Sequence, residues 1–215
     1  MNFDFYNKTP EGAKLLGTVS LMRRGLPFLY QGQALGMTNC PWESIDEIDD
    51  VSTKGAYRLA LQAGVPESLA MEGVRAYSRD NARTPMQWSA RPGAGFTEGT
   101  PWLRLNPNYT AVNAEAQAGD PNSVLGWYKR LIALRKSPRW AELFTYGETE
   151  PQWQNSEWVF AFDRVLDGQR VRIAANFGPE AVHLPCEGQV LLANRADCNG
   201  GQLTLESCGA AILTL

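Results

Sequence analysis

Five residues near the start of the chain, Leu26-Pro27-Phe28-Leu29-Tyr30, form a nearly continuous apolar run of strand length. A strand with one wet face alternates apolar and polar side chains. A run without alternation suits a strand covered on both faces, as in a parallel sheet. Pro27, close to its start, is tolerable there. Such a strand standing alone leaves both edges and both faces unpaired, which invites association. Residues 1–110 are therefore expected to self-associate or stay disordered unless neighbouring strands are supplied.

The run is flanked by a helix and a loop. Residues 10–24 read as a helix, with Thr9 as cap, Pro10 and Glu11 in the first turn and Gly25 as the stop. Downstream, Gln31-Gly32-Gln33-Ala34-Leu35-Gly36-Met37 is a polar, glycine-punctuated loop at the C-terminal end of the strand, where ligands sit in α/β barrels. The acidic cluster Asp46, Glu47, Asp49 and Asp50 lacks the glycine and final glutamate of a calcium loop and reads as a solvated surface. Residues 52–62 and 66–76 read as helices. The long irregular stretch from Arg91 to Tyr109 is of a kind that often serves substrates, and its Trp102 either stacks on a sugar or pins the loop. Asp120 and Pro121 open a further helix, whose later basic residues, Lys129, Arg130, Arg135 and Lys136, read as solvated charge favoured by the helix dipole. Beyond Pro138 the pattern changes to short alternating runs separated by Asp167-Gly168, Gly178-Pro179, Glu187-Gly188, Asn199-Gly200-Gly201 and Gly209. That predicts a small antiparallel β domain of sandwich type, with the boundary near residue 140.

Composition narrows the functions. A net charge of −3 argues against nucleic acid or an anionic membrane as partner. No apolar run approaches the ~20 residues that cross a bilayer, and Met1–Phe5 lacks the features of a signal peptide, so the expected location is cytoplasmic. Cys40, Cys186, Cys198 and Cys208 form no CxxC pair and the single histidine is His183, so no metal site is expected. The cysteines are expected to be reduced thiols, with a Cys186–Cys198 or Cys186–Cys208 bridge open to a secreted protein.

The most distinctive stretch runs from Ser78 to Trp88: Ser-Arg-Asp-Asn-Ala-Arg-Thr-Pro-Met-Gln-Trp. Arg79 and Arg83 lie four apart around Asp80 and Asn81, and Pro85 forbids a continuing helix. A guanidinium is a planar donor array that binds a carboxylate or a pair of sugar hydroxyls in fixed orientation. The structural alternative is an arginine–aspartate staple that only shapes a loop.

This stretch, together with Leu26–Gly32, Gly36-Met37-Thr38-Asn39, Gly95-Phe96-Thr97, Pro101-Trp102, Asn106-Pro107-Asn108-Tyr109 and Asp120–Val124, resembles the oligo-1,6-glucosidase group of glycoside hydrolase family 13. That group includes trehalose-6-phosphate hydrolase, dextran glucosidase and sucrose isomerase. The resemblance spans essentially the whole chain. It implies an α/β plus all-β fold: residues 1–139 as the last part of an incomplete (β/α)8 barrel, which in full needs roughly 250 residues, and residues 140–215 as a C-terminal β-sandwich domain. The family's enzymes cleave the non-reducing end of short α-glucosides, α-1,6 or α-1,4, by double displacement without cofactor, using carboxyl groups ~5–5.5 Å apart. In the family this pair, a nucleophilic aspartate and an acid/base glutamate, and a third aspartate that steadies the transition state follow barrel strands four, five and seven, upstream of Met1. Asp4, Asp80 and Glu98 match no catalytic motif, so no catalytic residue is assigned. The chain is expected to be inactive alone and to need the missing N-terminal barrel portion as partner. By resemblance Arg83 holds the terminal glucose, with Arg79 a second candidate. Gln33 and Ala34 stand where the family usually has two glutamates. The rival reading is a non-catalytic sugar-binding or assembly module.

Overall fold

A computed structural model describes residues 8–215, so Met1–Phe5 and Asp4 lie outside the described residues. The chain divides into two compact units, one comprising residues 1–29 and 126–215, the other residues 30–125.

In the first unit, helix α1 (Pro10–Leu21) begins as its sequence dictates. Thr9 is extended and its hydroxyl accepts from the Gly12 amide at 3.1 Å. The helix ends at Leu21 rather than at residue 24. Its buried Leu15 packs with Ala175, Cys208 and Ala210 of the sheet. Gly17 admits the ring of Tyr128, which would lie 2.6 Å from a Cβ there.

The apolar run that follows forms no strand. Leu26 and Phe28 are 80% and 86% exposed. The expected strand is corrected for a simple reason: a strand needs a ladder partner, and none is present among the described residues.

The expected helix at Asp120 starts instead at Val124 (Val124–Arg135), with the exposed Asp120 side chain closing a local turn on the Asn122 amide at 2.7 Å. A short helix, Ala141–Tyr146, follows.

The β part is one six-stranded antiparallel sheet: β1 (Glu148–Gln152), β2 (Val159–Leu166), β3 (Gln169–Asn176), β4 (Val182–Pro185), β5 (Gln189–Asn199) and β6 (Gln202–Thr214), in order β1-β2-β3-β6-β4 with β5 also on β6. The predicted turns at Asp167-Gly168 and Gly200-Gly201 are two-residue hairpins with positive φ throughout. Gly209 is not a turn. It sits inside β6 beside Cys208 (φ 59°), and a Cβ on it would meet the Arg195 carbonyl oxygen at 2.4 Å. That irregularity, with the register shift at Asn194/Ala196, bends the β5–β6 pair. The first half of β6 therefore bonds β4 and the second half β3. Leu203 and Leu205 from one half share a core with Ala211 and Leu213 from the other, and with Val159, Ala161 and Ala174. The two inner faces of the domain are thus supplied by one sheet that curls over.

Cys186 and Cys198 are joined in a disulfide, Cα to Cα 6.0 Å, which corrects the expectation of four reduced thiols. The hydrogen bond from the Cys186 amide to the Gly201 carbonyl at 2.9 Å brings the end of β4 back beside the β5–β6 hairpin. Cys40 and Cys208 are free and buried.

Two arginines finish the first unit's interior. Arg164, fully buried on β2, donates to the carbonyls of Met22 (3.1 Å), Phe144 (3.0 Å), Leu143 (3.2 Å), Gly147 (2.5 Å) and Glu148 (3.3 Å). Arg135 donates to Leu21 (2.5 Å), Arg23 (2.9 Å), Phe144 (3.2 Å) and Gly25. Their partners are carbonyls at and just beyond two helix C-termini, where the dipole favours a cation. Burial pushes both guanidiniums down, that of Arg164 to about 10. Arg135 is thus corrected from solvated charge to a buried cap, while Lys129, Arg130 and Lys136 are exposed.

The second unit is built on α2 (Val51–Gln62) and α3 (Glu67–Tyr77), with a short α4 (Ala114–Gln117) and several 3-10 turns. Trp42, Ile48, Tyr57, Met71 and Val74 form its core.

Among the described residues no helix is long and apolar enough to cross a membrane.

Candidate functional site: an arginine pair on two buried carboxylates

The site is assembled around Asp80, Asn81 and Asp50. Ser78 to Ala82 make a 3-10 turn, with the Ser78 hydroxyl accepting from the Asp80 amide at 3.2 Å. This turn buries Asp80 completely. One of its oxygens accepts from the Asp49 and Asp50 amides at 2.7 and 2.8 Å, and the other from Arg83 Nη1 at 3.1 Å. Asn81 accepts from the Cys40 amide (3.1 Å) and Trp42 Nε1 (2.8 Å) and donates to the Arg75 carbonyl (2.9 Å). Gln31, straight after the apolar run, donates to the carbonyls of Ala82 (3.2 Å) and Thr84 (3.4 Å) on either side of Arg83.

Asp50 is the N-cap of α2. Its Oδ2 accepts from the Thr53 amide (3.0 Å) and hydroxyl (2.7 Å), and its Oδ1 accepts from Arg79 Nη2 at 2.5 Å and lies 3.6 Å from Arg83 Nη1. The Arg79 bond, and after it the Thr53 hydroxyl, holds this carboxyl well below the usual carboxylate range. In return Asp50 raises Arg79. Sequence reading assigned Asp50 to a solvated cluster. In the structure it is buried, and Glu47 of the same cluster is tied to Arg104 at 3.0 Å, so the cluster is corrected to partnered structure, with Asp46 and Asp49 remaining exposed. The readable signal was Asp50 followed three residues on by Thr53 at a helix start.

Both arginines are anchored through a single nitrogen. Arg83 uses Nη1 alone and its side chain is 42% exposed; Arg79 uses Nη2 alone, which also reaches the Ser52 hydroxyl at 2.8 Å, and its side chain is 60% exposed. Nε and Nη2 of Arg83, and Nε and Nη1 of Arg79, have no partner among the described residues. The staple anticipated as the structural alternative therefore exists, and it leaves most of each donor fork open. Two guanidiniums face two carboxylates, so the ensemble is close to charge-balanced. Such a surface offers oriented donors without a net positive field, which suits neutral hydroxyls better than an anion.

Of the other candidates, Trp102 is exposed, as are Trp88 and Phe96. Gln33 takes over part of the loop's bonding by accepting from the Tyr30 amide at 3.2 Å. Gln87, fully buried, donates to Asn108 Oδ1 (2.9 Å) and the Val112 carbonyl (2.7 Å) and so ties the Arg91–Tyr109 stretch down from within. Burial pushes the Cys40 thiol up to about 11 and raises Cys208, so neither is a nucleophile at neutral pH. Among the described residues no group of His, Cys, Asp and Glu is arranged to hold a metal.

Residues 4–144 match the profile of the alpha amylase catalytic domain, and residues 155–212 match a C-terminal domain of unknown function, DUF3459. The chain belongs to the alpha-amylase catalytic-domain family. It is 38% identical to an oligo-1,6-glucosidase of Halalkalibacterium halodurans over 85% of its own length and 32% of that protein's. It is 36% identical to a glucan 1,6-alpha-glucosidase of Streptococcus pneumoniae, over 84% of this chain and 33% of that one. An isomaltulose synthase variant of Erwinia rhapontici solved with D-glucose superposes with a TM-score of 0.87 at 38% identity, covering 96% of this chain and 38% of that one. This alpha-amylase-family chain therefore spans about a third of the length of the curated relatives it matches. Its architecture is the end of the family's barrel domain followed by an antiparallel sheet domain.

Proposed function

We propose that this chain forms the C-terminal part of a retaining α-glucosidase, in which Arg83, with Arg79, donates hydrogen bonds to the terminal glucosyl unit at the non-reducing end of a short α-1,6- or α-1,4-glucoside. The observation that carries this reading is the pair of half-open guanidinium forks fixed on Asp50 and Asp80. Their charge balance favours a neutral sugar, and the glucosidase names of relatives sharing 36–38% identity point the same way. The nucleophile and the acid/base carboxyl group come from an N-terminal barrel portion, and without it the chain is inactive. Residues 1–139 belong with that barrel and residues 140–215 form the sheet domain, in an enzyme that uses no cofactor.

The barrel portion has a seat. Leu26, Pro27 and Leu29, with Leu21, Ile132 and Tyr146, line an apolar groove of about 730 Å³. Solvent-exposed Leu26 and Phe28 are what a strand meant for cover on both faces leaves bare. The superposition of nearly the whole chain on 38% of a larger protein supports the remaining barrel as the occupant.

The purified 215-residue protein is expected to leave p-nitrophenyl α-glucoside intact and to gain turnover when the N-terminal barrel portion is supplied. Turnover by the chain alone refutes the division of labour. Calorimetry with isomaltose separates the rival: tight binding without the barrel identifies a non-catalytic sugar-binding module.

A further inference from the structure

We infer that Asp50 is a positioning residue that aims both arginines, an inference that rests on the reading of Arg83 as a sugar-holding group. Its carboxylate is divided in function between its two oxygens. Oδ2 is spent on the α2 N-terminus, on the Thr53 amide and hydroxyl. Oδ1 receives Arg79 Nη2 at 2.5 Å, with Arg83 Nη1 at 3.6 Å. The carboxylate is held in place, because its own backbone amide is bonded by Asp80 at 2.8 Å and its Oδ2 is fixed by the helix start. Asp80 closes the circuit by binding Arg83 Nη1 at 3.1 Å.

The consequence is geometric. Two long cations four residues apart repel, and each has several rotamers; a shared, immobile anion draws one nitrogen from each toward a single point. With those nitrogens fixed, the planar guanidiniums present their remaining edges in set directions. Asp50 lies 29 residues upstream of Arg79, and it reaches the pair only because α2 starts where it does. A helix cap and a ligand-donor array are thus two faces of one side chain.

Asp50→Asn separates these roles, since the amide oxygen still caps α2 while the charge is lost. The test uses the 215-residue chain. In the wild type the Nε–Hε resonances of Arg79 and Arg83 are expected to be distinct from each other in nuclear magnetic resonance spectra. In D50N the Arg79 resonance is expected to collapse toward its solvent-averaged value and that of Arg83, still bonded to Asp80, to shift, while α2 amides keep their protection. Unchanged arginine resonances in D50N overturn the inference and leave Asp50 a helix cap alone. Should D50N fail to fold, Asp50→Ser, which keeps a cap acceptor, is judged by the same two readouts. Isomaltose titrations of the wild type keep the two readings apart. If D50N releases Arg79 and shifts Arg83 but isomaltose never moves their resonances, even with the barrel portion present, positioning stands and the sugar-holding role of Arg83 falls.

Discussion

The chain uses two pairs of arginines in opposite ways. Arg135 and Arg164 are buried among backbone carbonyls, and their donors are consumed by the ends of helices. Arg79 and Arg83 sit on buried carboxylates, half exposed, each bound through one nitrogen. The same five-donor group is a mortar in one unit and an open hand in the other. What separates them is the partner. A neutral carbonyl cluster must surround a cation to hold it, whereas a carboxylate holds it from one side and leaves the rest available.

The largest effect tests the mortar. Arg164→Met takes a donor from five carbonyls inside the first unit, of which Phe144 keeps Arg135 and Leu143 keeps the Gly147 amide, so it should lower stability by about 3 kcal/mol. Urea unfolding measures this, and a loss below about 1 kcal/mol would mean that those carbonyls find water and that the comparison is overdrawn. Next, Cys186→Ser releases the end of β4 and should cost about 2 kcal/mol. Because the disulfide lies in the same unit as Arg164, amide exchange should quicken in the sheet and stay unaltered around Asp80. Smaller again is Arg83→Ala, whose exposed side of the ion pair contributes less than about 1 kcal/mol to stability. Its signature is lost sugar contact with near-normal unfolding, and a large drop in stability would move Arg83 into the mortar class.

The smallest effect is a pH dependence. The folded carboxyl of Asp50 titrates below its unfolded value, so its contribution is fully present above an unfolded pKa of about 4 and is lost as pH falls through the lower, folded value. The difference in thermal midpoint between wild type and D50N should stay flat from about pH 8 to about pH 5 and shrink only below about pH 4. A difference that changes near neutrality would implicate another group.

Local signals were readable where a few neighbouring residues decide the outcome. Thr9-Pro10 began a helix, and Asp167-Gly168 and Gly200-Gly201 made hairpins, because positive φ and cap geometry are local properties. Leu26–Tyr30 failed as a strand because pairing belongs to a partner rather than to a run of side chains. Gly209 reads as a turn in isolation, yet the approach of the Arg195 carbonyl makes it a bend within β6. β1 carries no alternation, Glu-Thr-Glu-Pro-Gln being largely exposed, and so gave no signal. In the arginine site, Arg79 and Arg83 were visible through their spacing and Asp50 only as a helix cap, while its joining of the two was not. A carboxylate 29 residues away joins them only through the fold. The Cys186–Cys198 pairing depends in the same way on how β4 and β5 are laid against β6.

β6 carries ladder bonds to β3, β4 and β5, so the spine of the sheet is the last of the six strands to be synthesised. On the ribosome the β1–β2–β3 meander can zip as it emerges, but β4 and β5 must wait without a template. A translation arrest within Gln202–Thr214 would strand them, and would leave Leu15 of α1 facing water where Ala210 should be.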